Sequence, residues 1–148
     1  MLKKFRDRME TRIYQHRARW TARRLGPWIQ PADHVLDVGA GDCRLAELLT
    51  HKVGCRVTPV DVADYNKTSL PLTRFDGRRL PFDDDSFDVV LLIFVLHHAE
   101  NPRSVLEEAR RVCRRHVIVF VVLWRALQTG QDGFETGIVG ATHGDAAE

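Results

Sequence analysis

The spacing of apolar residues changes period several times along the chain, and each change marks an element. Phe5, Met9, Ile13 and Trp20 recur at helical spacing among basic residues, which predicts a helix over residues 1 to about 25. Gly26-Pro27 breaks it, and Trp28 and Ile29 pack the approach to a first strand around Val35, Leu36 and Val38. Gly39 and Gly41 allow a sharp turn. Leu45, Leu48 and Leu49 then repeat with helical spacing, with Gly54 beyond the helix end. Arg56 to Val60 reads as a second strand ending at Asp61, and Leu72 to Phe75 as a third ending at Asp76. Asp88 to Leu96 reads as a fourth, apolar at both parities as a central parallel strand must be. Asn101 is placed to cap a helix that has Pro102 at its first position and runs to about Arg114. Val117 to Leu123 completes the series as a fifth strand. No internal repeat interrupts it.

Strands alternating with helices predict an α/β fold: a Rossmann-like, mostly parallel sheet of about five strands with flanking helices. Three segments are expected. These are a basic N-terminal helix (1–25), a ligand-binding α/β domain (26–124) and a glycine-rich, irregular tail (125–148) that holds five of the ten glycines.

Charge changes the picture at one end. The net charge of the 148 residues is +2, yet residues 1–24 hold nine of the 22 basic residues and two of the 20 acidic ones. A basic arm on an acidic body suits either a solvated amphipathic helix or contact with nucleic acid, an anionic membrane or an acidic partner. Cys43, Cys55 and Cys113 form no C-x-x-C pair, which fits a reducing compartment and offers no metal or disulfide framework. The apolar runs are too short for a membrane-spanning helix and the N-terminal run is broken by arginines, so a cytoplasmic location is expected.

The candidate chemistry sits in the first strand–turn–helix. Asp37 precedes the first glycine by two residues and Asp42 follows the second. Two carboxylates would repel a pyrophosphate at the helix N-terminus, although Asp42 also suits a capping role. The third glycine of a dinucleotide fingerprint is replaced by Arg44. A ligand with an ammonium group and no phosphate suits Asp37 better, and S-adenosylmethionine is such a ligand. Asp61, at the end of the second strand, has two acceptor oxygens for two ribose hydroxyls, with Val62 against an adenine ring; a plain turn or helix cap explains the same residues.

The segment Val35 to Cys43 resembles the first motif of class I S-adenosylmethionine-dependent methyltransferases. The resemblance extends through Leu80-Pro81-Phe82-Asp83-Asp84-Asp85-Ser86-Phe87-Asp88-Val89-Val90, then Phe94-Val95-Leu96-His97-His98, then Asn101 to Val112. It covers roughly residues 20–120 and is similar to the broad group of small-molecule and quinone-type enzymes. It implies that Asp37 helps hold the methionine ammonium. It also implies that Gly39, Ala40 and Gly41 bring backbone close to the methionine part, and that Asp76, before Gly77, accepts from the adenine amino group. Asp-Gly also marks a plain turn. Ile93 is read as packing on the cofactor and Phe94 as core. His97 and His98 follow the fourth strand, where an imidazole would serve as a base or merely shape the strand end. No catalytic residue is assigned.

The expected function is methyl transfer from S-adenosylmethionine to a small molecule. Two alternatives stand beside it: a methyltransferase-like binding module without turnover, and an RNA methyltransferase guided by the basic arm. No base-specific motif supports nucleic acid, because Phe94-Val95-Leu96-His97 stands where Asn-Pro-Pro-Tyr would. The family's sheet usually ends in an antiparallel hairpin, and the tail offers no convincing strand pair. The chain therefore reads as C-terminally truncated or altered, with the fifth strand an exposed edge prone to self-association or to pairing with a partner strand.

Overall fold

The structure, a computed structural model, describes residues 2–121 and 138–142. The chain forms α1 (Leu2–Leu25), β1 (His34–Val38), α2 (Arg44–Lys52), β2 (Arg56–Asp61), β3 (Thr73–Arg74), β4 (Phe87–Ile93), α3 (Pro102–Arg111), β5 (Cys113–Phe120) and β6 (Ile138–Thr142), with short 3-10 turns at Gly26–Trp28 and Leu96–His98. One sheet has the order β3-β2-β1-β4-β5-β6. The first five strands are parallel, and β6 runs antiparallel to β5. The strand order reverses between β1 and β4, which opens a crevice at their carboxyl ends.

Alternation along the central strands explains the two cores. Leu36, Val38, Val90, Leu92, Val117 and Val119 point to one face, with Ala109 and Val112 of the α3 region. Val35, Val89, Leu91, Ile118 and Phe120 point to the other, with Ala18 and Leu25 of α1 and Leu45 and Leu49 of α2. A strand buried on both faces needs apolar residues at both parities, and β4 supplies them. The latter half of α1 is thus part of the domain core rather than a separate arm. Trp20 meets Phe120 edge to face, with ring centroids 6.1 Å apart.

Polar groups fix the ends. Asn101 accepts from the Ser104 N–H at 3.1 Å, capping α3 as expected. Arg111 pairs with Glu108 and Asp84 and donates to the carbonyls of Leu80 and Phe82, which ties the loop before β4 to α3. Buried Asp33 pairs with Arg115 at 2.8 Å.

The structure corrects four expectations. The fourth strand ends at Ile93, not Leu96, because Phe94 turns into the left-handed region at φ +58° and Leu96 folds back as partly buried cover for the α3-side core. The helix after Asn101 stops at Arg111, and the fifth strand begins at Cys113 instead of Val117. Arg114, Arg115 and His116 belong to β5, where Arg114 and Arg115 reach Asp88 and Asp33. The third strand shrinks to Thr73–Arg74, paired with Val60 and Asp61. Finally, the tail is not wholly irregular and β5 is not an edge: Ile138 pairs with Phe120, Val139 with Val119, Gly140 with Ile118, Ala141 with Val117 and Thr142 with His116. A short run of small and β-branched residues with a central glycine sufficed, because β5 already offered a long apolar template. Leu123 and the rest of the tail lie outside the described residues.

Candidate functional site

The crevice between β1 and β4 is lined first by the turn that leaves β1. Gly39 at φ +71°, Gly41 at φ +55° and Cys43 at φ +62° make three left-handed steps within five residues. The N–H groups of Gly39 and Ala40 both donate to the Val60 carbonyl, at 2.8 and 3.0 Å, which ties the turn to the end of β2. Gly39 has no room for a side chain: an added Cβ would lie 2.5 Å from Val95 Cγ2. At Gly41 an added Cβ meets nothing within 4 Å among the described residues, so this glycine faces open space there. One glycine is needed for packing and the other leaves a cradle.

Three carboxylates surround that cradle. Asp61 accepts from the Gly41 N–H at 2.8 Å through one oxygen and from the Ala63 N–H at 3.3 Å through the other. Asp42 accepts from the Arg44 N–H at 3.2 Å, an interaction at the start of α2 rather than a formal cap, since Cys43 holds the cap position. Asp37 is 2% exposed, and its Oδ2 is buried with no hydrogen-bond partner among the described residues. Burial foremost, then the charges of Asp61 and Asp42, push its carboxyl up to about 7. A buried acceptor left unmade in an anionic pocket is suited to a ligand that brings an N–H donor and positive charge. The same pocket disfavours phosphate. Cys43 is no nucleophile here, since burial and the surrounding carboxylates push its thiol up to about 12.

The second wall joins β2 to the turn after β3. Val62 is exposed, and an added Cβ on Gly77 would lie 3.2 Å from its Cγ1. Asp76 adjoins Gly77, but its Oδ1 accepts from the N–H groups of Arg79 and Arg78, which hold its carboxyl below the usual range. That oxygen is committed to its own turn. Ile93 is half-buried and packs with the core on the α1–α2 side. Asp37, Gly39, Ala40, Gly41, Asp61, Val62 and Gly77 are therefore brought together; Asp76 stands at the margin, and Ile93 belongs more to the core than to the crevice.

Sequence reasoning missed the third wall. Val95 closes on Gly39, and the preceding Phe94 holds a left-handed backbone that costs a non-glycine residue roughly 1–3 kcal/mol. Arg17 of α1 lies over the Phe94 ring at 5.4 Å and the Tyr14 ring at 5.0 Å. His97 and His98 are exposed, with ring centroids 3.9 Å apart. Desolvation, His98 and Arg17 push His97 below its ordinary value. The contact of residue 17 with residue 94 carries no sequence signal; it arises only once α1 is laid on the sheet. Among the described residues no group of three His, Cys, Asp or Glu side chains gathers as a metal site.

Comparison with known proteins agrees with this geometry. Residues 36–121 match the model of a methyltransferase domain family. A demethylmenaquinone methyltransferase of Streptomyces avermitilis is 35% identical over 92 residues, covering 57% of this chain and 39% of that protein. One from Mycobacterium tuberculosis is 34% identical over 105 residues, covering 68% and 43%. The chain thus spans about two-fifths of the length of these relatives. Among solved structures, a chain of the complex between the Haloferax volcanii Trm112 methyltransferase activator and a methyltransferase is 26% identical, with a TM-score of 0.58 over 69% of this chain and 52% of that one. A SAM-dependent methyltransferase from Aquifex aeolicus shares the fold, with a TM-score of 0.55 at 21% identity over 70% of this chain and 62% of its own. With the family model matching more than half of its length and the glycine turn, the sheet order and the acidic cradle in place, the chain belongs to the methyltransferase domain family.

Proposed function

We propose that the chain binds S-adenosylmethionine in the β1–β4 crevice and serves methyl transfer to a small molecule. The observation that carries this reading is the unpartnered Oδ2 of buried Asp37 beside an open glycine cradle. Asp37 would accept from the ammonium group. Gly41 would let backbone approach the methionine part. Asp61 would turn its carboxylate from the Gly41 N–H to the ribose hydroxyls, with Val62 and Gly77 bounding the adenine and Asp76 at its edge. When bound, the cofactor supplies a methyl group already activated by a sulfonium, so the chain's own task is to bind, orient and exclude water.

The named relatives that methylate demethylmenaquinone support a small planar acceptor over RNA. Three buried free thiols fit a reducing, cytoplasmic setting. No described helix is long and apolar enough to cross a membrane. The test is to supply methyl-labelled S-adenosylmethionine to the protein with a cell extract and to partition the product. Label in the solvent-extractable small-molecule fraction is expected. Label confined to RNA, or none above a Gly41→Arg control, would overturn the reading.

A further inference from the structure

We propose that Arg17, Tyr14 and Phe94 form the acceptor subsite, and that this subsite takes a planar acceptor bearing an anionic oxygen. The inference rests on the cofactor reading above and deepens it. Phe94 leaves β4 in the left-handed region, which L residues rarely adopt, and so sets its ring at the carboxyl end of the strand under α1. Its neighbour Val95 forms the packing wall against Gly39. The aromatic floor and the glycine cradle therefore lie on two sides of one wall, one residue apart.

Charge divides across that wall. Asp37, Asp42 and Asp61 gather on the cradle side. On the other side, the Arg17 guanidinium stacks over the Tyr14 and Phe94 rings and, among the described residues, meets no carboxylate. Residues 12–32 hold five arginines and no acid at all. His97 lies close enough to Arg17 to feel its charge, which adds to desolvation and His98 in holding the imidazole below its ordinary value. With its guanidinium carbon 5.0 Å from the Tyr14 ring centre and 5.4 Å from the Phe94 ring centre, Arg17 sets a cation with N–H donors beside two aromatic side chains, a pairing suited to the oxyanion and the apolar body of one planar molecule. An acceptor that arrives as its anion has already lost the proton that a neutral hydroxyl must shed. That fits a crevice in which no dedicated base stands out.

The test uses the full chain saturated with S-adenosylhomocysteine and two probes of one shape, 2-naphthoate and neutral 2-naphthamide. Wild type should bind the naphthoate about tenfold more tightly than the amide. Arg17→Met should bind both alike, and Arg17→Lys should recover part of the difference. S-adenosylhomocysteine affinity should be the same in all three proteins, which also shows that the variants fold. Equal binding of the two probes by wild type, no detectable naphthoate binding at millimolar concentration, or an unchanged preference in Arg17→Met each overturns the proposal. Failure of wild type to bind S-adenosylhomocysteine would instead sink the cofactor reading on which it rests.

Discussion

Above neutral pH the Asp37 carboxylate is ionised while its buried Oδ2 meets no donor among the described residues. Its folded-state value, about 7, lies above the ordinary 3.8, so the native state holds its proton more firmly than the unfolded chain does. Stability from this group is therefore greatest at low pH. It is lost as pH rises from about 4 to about 7, and the loss is of the order of 4 kcal/mol once both states are ionised. Asp37→Asn should raise the melting temperature of the ligand-free protein, more at pH 8 than at pH 5, while weakening S-adenosylhomocysteine. A variant less stable at pH 8 would show that the carboxylate is satisfied in a way the geometry does not reveal. The two glycines should separate in the same manner. Gly39→Ala meets Val95 and should cost stability, about 1–3 kcal/mol in a denaturant melt. Gly41→Ala meets no atom and should cost less stability but more affinity, because its methyl enters the cradle. These residues were legible in the sequence, since a strand-ending acid and two glycines state their own geometry within five positions. Val95 and Arg17 were not, because their partners lie 56 and 77 positions away and nothing local marks them.

Elements read well where period and punctuation agreed. Gly26-Pro27 closed α1, Asn101-Pro102 opened α3, and near-continuous apolar runs announced β1 and β4. Boundaries failed where composition misled. Arg114-Arg115-His116 reads as the join between the helix and the fifth strand, but long-range ion pairs to Asp88 and Asp33 hold two of these side chains on β5. Strand β6 was missed because a five-residue run with a central glycine has little propensity of its own; pairing with β5 supplies what it lacks. With that pairing in place, the basis for self-association through a bare β5 falls away. Helix α1 was expected as a unit apart, yet Ala18, Thr21 and Leu25 are buried in the domain. Its two halves should behave differently. Removing residues 1–12 leaves Tyr14, Arg17 and all three buried positions in place, so S-adenosylhomocysteine affinity should change less than about twofold by calorimetry. A larger loss with the fold intact would place the first half of α1 in the cofactor site.

At the scale of the molecule, the order β3-β2-β1-β4-β5-β6 does one thing for function. It places the carboxyl ends of β1, β2 and β4 side by side and gives each a distinct part. β1 ends in the glycine cradle, β2 in Asp61, and β4 in the Phe94–Val95 turn that closes on Gly39. The central claim is that the acidic pocket holds S-adenosylmethionine by its positive charge. Calorimetric titration with S-adenosylhomocysteine, which keeps the ammonium group, tests it in buffers of different ionisation enthalpy. One equivalent should bind per chain. Binding should release most of a proton at pH 6, where Asp37 is protonated in the free protein, and little at pH 8, where it is already ionised. Asp61→Ala should weaken binding by about 1–3 kcal/mol. A folded protein that binds no S-adenosylhomocysteine, or binds it with the same proton release at both pH values, would contradict the account.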